Sequence, residues 1–204
     1  MNPAHRLSLN VAVLSLSLVA GVAGFAATAA EAPIKVTEKS FVCMTKMTPV
    51  RGFYVANLAG RLKDTLKVAR SKTGGVYPPG SVVQLIPTEV MVKQSPGTSP
   101  ATKDWEFFEL DVSDKGSSIR HRGYSDVVNR FGGNCLGCHV AARPEWDLVC
   151  EESHGCAPVP LTRAMIEGLQ RSDPRCLPPN ALRPQDAEGL KAFRALTGQA
   201  APKN

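Results

Sequence analysis

This chain lacks a strong excess of either charge. Its 204 residues hold 24 Lys+Arg against 18 Asp+Glu, and the net +6 is too diffuse to argue for a nucleic-acid partner. There is no internal repeat and no low-complexity run, which excludes repeat architectures. Aromatic residues are only 6 %, yet hydrophobic residues reach 43 %, which excludes wholesale disorder and suffices for one buried core at this length.

What is present begins with an address. Met1–Ala29 carries Arg6 early, then an uncharged stretch through Val11–Leu14 and Leu16–Val19, then the small-x-small site Ala27-Thr28-Ala29. That three-part pattern predicts a secretory signal peptide over 1–29, cleaved to leave no membrane anchor. Cys43 lies too far downstream to be a lipid-anchored cysteine. All six cysteines would then enter an oxidising compartment, the bacterial periplasm.

Residues 30–40 read as a loose leader. Phe41–Met44 and Gly52–Ala56 read as strands, and Leu58, Leu62, Leu66 and Ala69 mark an amphipathic helix that Gly74-Gly75 stops. The basic residues between those leucines are a solvated helix face. Ser81–Ile86 is a strongly apolar strand, interrupted by Pro87 before Val90–Val92, and Trp105–Val112 is a third clear strand. His121, between two arginines, reads as a solvated turn residue. Half of the sixteen prolines follow residue 143. A central sheet there is excluded, and short helices near 161–170 and 184–197 fit instead. The organisation is a signal at 1–29, a main domain at 30–150 and a Cys/Pro-rich extension at 151–204.

The chemistry sits in Cys135-Leu136-Gly137-Cys138-His139. C-x-x-C-H is the signature of c-type haem attachment. Two thiols on a two-residue bridge can reach the two vinyl groups of one porphyrin edge, and the adjacent imidazole then lies under the iron. One motif implies one covalent haem c, held by Cys135 and Cys138 with His139 as proximal iron ligand. Two other readings stay open: zinc, with Cys150 or His154 completing the set, and a bare disulfide.

The sixth ligand decides the function. Met165 is the only methionine after His139, in a short helix where it would pack as core. His154 lies between Cys150 and Cys156. If neither ligates, the distal side is open and apolar and suits small neutral gases; if either does, the chain is a pure electron carrier. Four cysteines remain, Cys43, Cys150, Cys156 and Cys176, enough for two disulfides in one of three pairings.

In these residues the chain resembles the cytochrome P-460 family, which includes the β-sheet cytochromes c-prime (cytochrome c′-beta). The resemblance covers roughly 45–150 and is carried by the order of its pieces. Gly52–Arg70 comes first, then Tyr77-Pro78-Pro79-Gly80-Ser81-Val82-Val83, then Asp104–Phe108, the late Cys135–His139 and Trp146–Val149. It implies an α+β fold, an antiparallel β-sheet with a few helices packed on it, to which the proline-rich helical extension is added. It also implies a homodimer, a small gaseous (nitric oxide or carbon monoxide) or nitrogenous ligand, and a periplasmic redox partner. Hydroxylamine-oxidising members carry a lysine cross-linked to the porphyrin; in ungapped register Leu85 stands in its place. That departure turns expectation away from an oxidase of hydroxylamine or a related nitrogen compound. It makes Val83 and Leu85 candidates for the distal lining. Lys93 is the nearest later lysine.

Overall fold

Alternating β-branched and aromatic residues build the centre of the fold. The computed structural model describes residues 33–198, and six strands cross it as one antiparallel meander in chain order. They are β1 (Thr48–Val50), β2 (Phe53–Asn57), β3 (Ser81–Ile86), β4 (Glu89–Lys93), β5 (Trp105–Ser113) and β6 (Gly116–Gly123). Helices α1 (Leu62–Ala69), α2 (Cys135–His139), α3 (Arg163–Arg171) and α4 (Pro184–Thr197) complete an α+β architecture, the expected class. The predicted signal peptide, Met1–Ala29, lies outside the described residues. No helix among the described residues is long and apolar enough to cross a membrane.

Side chains alternate across a strand, so the sheet presents two apolar faces. Register aligns Val55, Val83, Met91 and Phe107 in one cross-strand row. Tyr77, Leu148, Val149 and the inner side of α1 pack against that row. Val82, Val90, Val92, Phe108 and Leu110 form the second cluster with Val36, Phe41 and Met47. Burial of both faces explains why β3 reads as a nearly continuous apolar run instead of an alternation.

Three stretches differ from the sequence expectation. The leader is not loose where it is described: Val36 is buried, Ile34 packs beside it, and Glu38–Ser40 forms a 3-10 turn. Phe41–Met44 is not a strand. It alternates in burial because Phe41 packs on Phe108 and Cys43 is bonded to the tail, but it joins no ladder. His121 lies in β6, opposite Glu109, and not in a turn. That strand is a largely exposed edge rich in Ser and Arg, so it lacks the apolar alternation that marks a strand in sequence.

α1 starts where the Asn57 side chain accepts hydrogen bonds from the amides of Ala59 and Arg61, at 2.8 and 2.9 Å. Lys63, Lys67 and Arg70 lie on its exposed side, as a solvated face requires. The following Gly74 has φ of +81°, and a Cβ there would come within 2.1 Å of the Glu145 carbonyl oxygen. Only glycine lets these two loops touch.

Several contacts fasten the tail to the sheet and to the segment before it. Gln170 of α3 donates to the carbonyls of Gly52 and Leu85, both at 2.8 Å. Asp173 accepts from the Met44 amide at 2.9 Å, and Cys43–Cys176 closes a disulfide beside it. Cys150–Cys156 is the second disulfide. α3 and α4 pack tightly enough that a Cβ on Gly189 would meet the Ala164 carbonyl.

Candidate cofactor site around Cys135, Cys138 and His139

The loop before α2 is organised to present the motif. Asn129 Oδ1 accepts from the amides of Phe131 and Gly133 at 3.1 and 2.9 Å. Cys135 donates its amide to the Val127 carbonyl, and Asn134 caps α2 by accepting from the Gly137 amide at 2.7 Å. The five-residue helix brings Cys135 and His139 to the Val55–Phe107 face, where Cys135 and Leu136 pack against the apolar cluster, and leaves Cys138 exposed.

Of six cysteines, four pair, and Cys135 and Cys138 stay free thiols, half-buried and exposed respectively. Burial, with the Glu89 and Glu109 carboxylates nearby, pushes the Cys135 thiol up to about 12. Cys150 is spent in its disulfide, so it offers no fourth zinc ligand. Among the described residues the one close three-residue set of potential metal ligands is Cys43, Asp173 and Cys176, two of which are bonded to each other.

His139 is held from one side. Its Nδ1 lies 2.6 Å from the Leu148 carbonyl oxygen, and its ring packs on Phe107 with centroids 5.2 Å apart. A carbonyl only accepts, so Nδ1 carries the proton and donates, and Nε2 keeps its lone pair. Burial lowers the imidazole's pKa, partly offset by the Leu148 hydrogen bond, which favours the neutral ring. Nε2 has no protein partner among the described residues and is not sealed from solvent. Val128, Phe131 and Val140, beside the motif, are exposed apolar residues.

The carbonyl that holds His139 comes from an unusual turn. Asp147 and Leu148 are consecutive non-glycine residues with φ of 51° and 63°. Each such residue costs on the order of 1–3 kcal/mol unless its surroundings over-determine it. Here they do. The Asp147 carboxylate accepts from Lys93 Nζ on both oxygens, at 2.9 and 2.8 Å, and from the Tyr77 amide at 2.9 Å. Its carbonyl accepts from Trp105 Nε1 at 2.6 Å. Burial pulls the Lys93 ammonium below its ordinary pKa, against the attraction of Asp147.

At the other end of the same sheet face, Glu89 and Glu109 are cross-strand partners. Arg130 donates to Glu109 Oε1, while Glu109 Oε2 is buried without a partner. Burial, then the neighbouring Glu109, raises Glu89 to about 7. The face therefore runs from a Lys–Asp pair through Met91 and Phe107 to a carboxyl pair. Val83 is buried in its apolar middle. Leu85 sits where the β3–β4 register shifts and is partly buried against the same cluster.

The two other candidate ligands from the sequence, His154 and Met165, make contacts of their own, and His154 is buried. His154 stacks on Trp146 at 3.7 Å and its Nδ1 meets the Val149 carbonyl at 2.8 Å. Met165 lies at the start of α3, its sulfur 3.4 Å from the Thr162 amide. Asp147, Glu89 and Glu109 were not identified from sequence as site residues. The available signal was an acid set inside an apolar strand, as in Phe108-Glu109-Leu110. Comparison with protein-family models, curated proteins and solved structures finds no match to this chain.

Proposed function

We propose that this chain is an exported mono-haem c-type cytochrome that binds small neutral gases, such as nitric oxide or carbon monoxide, or passes single electrons to a periplasmic partner. One observation carries the reading. In a chain that pairs its other four cysteines, the two of C-x-x-C-H stay free beside a histidine whose Nδ1 is tied to a backbone carbonyl and whose Nε2 is available. These residues fit a haem: Cys135 and Cys138 would hold it as thioethers and His139 would ligate its iron. When bound, the haem would supply a redox-active iron able to take up a small ligand or pass an electron. The exposed apolar residues Val128, Phe131 and Val140 give it a surface to cover. Export draws support from the two disulfides, which persist in oxidising compartments.

His139 as a neutral donor, pinned at Nδ1, is oriented before any ligand arrives. Val83 and Leu85, in the apolar cluster against which the motif packs, would keep water from the site and favour uncharged ligands. His154 is buried and stacked flat on Trp146, and the Met165 sulfur accepts from the Thr162 amide, which favours an open sixth position. The oxidase alternative is less supported. Leu85 cannot form a lysine cross-link, and Lys93 is committed to Asp147.

An optical spectrum of the reduced protein, with and without carbon monoxide, tests this. A five-coordinate ferrous spectrum that shifts on adding the gas is expected. A six-coordinate spectrum indifferent to carbon monoxide would mean that the distal site is closed by a protein ligand. A red-shifted ferrous Soret band, with the extra mass of a cross-link, would instead mark a P-460-like enzyme.

A further inference from the structure

We propose that Asp147, with Lys93, is a positioning clamp for His139, acting through the Leu148 carbonyl to set the basicity of Nε2 and so the redox balance of the bound iron. The inference rests on His139 being the axial ligand.

A peptide unit is planar, so the direction of a carbonyl follows from the dihedral angles on either side of it. The left-handed pair Asp147–Leu148 is what aims the Leu148 oxygen at His139 Nδ1, 2.6 Å away. Two adjacent non-glycine residues do not hold that conformation unaided. Four contacts hold it here, all on Asp147: two from Lys93 Nζ, one from the Tyr77 amide and one from Trp105 Nε1. Lys93 and Trp105 are cross-strand partners on β4 and β5, so the clamp is anchored in the sheet. The Lys93 ammonium also lies 5.0 Å from the centre of the Trp105 ring. The next carbonyl, of Val149, receives His154 Nδ1 at 2.8 Å and braces the far side of the turn.

A buried ion pair is a poor device for stability alone, because two apolar residues of similar volume often serve as well. This one holds a single geometry. A histidine that donates Nδ1–H to a firmly placed oxygen is fixed in tautomer and ring plane, and its Nε2 is a stronger donor. Stronger donation favours the ferric state, so loosening the turn would raise the midpoint potential.

The test uses the haem-loaded protein, wild type, Asp147→Asn, and the double variant Lys93→Met with Asp147→Asn. The double variant leaves no unpaired charge buried, and asparagine tolerates a left-handed backbone, so it keeps the fold if the single variant does not. Haem content is read from intact mass and the pyridine haemochrome spectrum. The clamp is read from the ferrous iron–histidine stretch by resonance Raman and from the midpoint potential. Expected are unchanged haem content, a stretch shifted to lower frequency and a potential shifted upward. Variants that load haem and keep the wild-type stretch and potential would overturn the clamp while leaving the cytochrome reading intact. A wild-type protein without haem would overturn that reading, and the clamp with it.

Discussion

Replacing Cys43 and Cys176 together with alanine is expected to cost roughly 5 kcal/mol of stability, against about 2 kcal/mol for Cys150 and Cys156. The difference comes from loop length. The first bond joins residues 133 apart and the second joins residues 6 apart, so the first removes far more freedom from the unfolded chain. Cys43 and Cys176 are both buried, so the double variant also loses packing. The bond sits beside the Met44–Asp173 hydrogen bond and the buried Asp173–Arg175 pair, where the segment before β1 meets the tail. Urea unfolding of both double variants, each extrapolated with its own m value, checks the ranking. Equal losses, or a larger loss at Cys150–Cys156, would show that the long bond does not constrain the chain as described.

The second large effect is on pH. Glu89 is raised to about 7 from 4.5, chiefly by burial and then by Glu109. The folded chain therefore keeps a proton that the unfolded chain releases above pH 4.5. The resulting stabilisation is full below that value and is lost as pH rises through 7. A shift of this size is worth about 3 kcal/mol at most, reduced by the partial exposure of the side chain. Glu109 is also raised by burial, but its bond to Arg130 opposes the shift, so Glu89 should dominate. Melting curves between pH 5 and 8 should show the wild type losing stability relative to Glu89→Gln as pH rises; the lowered His139 adds the opposite slope to both proteins and cancels in the difference. A wild-type slope retained in Glu89→Gln would assign the pH dependence elsewhere.

The sequence marks the elements whose own residues report their burial. β3, β4 and β5 are apolar runs punctuated by Pro87 and by Asp114-Lys115-Gly116, and α4 has Pro184 at its start and Gly198 just past its end. The C-x-x-C-H motif stands out because its spacing follows from chemistry and needs no tertiary context. β1 and β6 are hidden for the opposite reason. Edge strands can be short, can carry Pro49 or can be polar, because half of their backbone needs no ladder. Phe41–Met44 misleads because burial that alternates by disulfide and ring contact resembles burial by sheet. The clamp is invisible in sequence because Lys93 and Asp147 lie 54 positions apart and meet only when the turn folds back on the sheet. Glu89 and Glu109 become a pair only through the β4–β5 register.

The most direct measurement is the intact mass of the protein purified after co-expression with a c-type haem maturation system, read beside its pyridine haemochrome spectrum. The account predicts a chain heavier by one covalently bound haem, with the spectrum of two thioether bonds. It also predicts loss of that mass in the Cys135→Ala, Cys138→Ala double variant. A chain of bare polypeptide mass, with Cys135 and Cys138 oxidised to a disulfide or holding zinc, would contradict it.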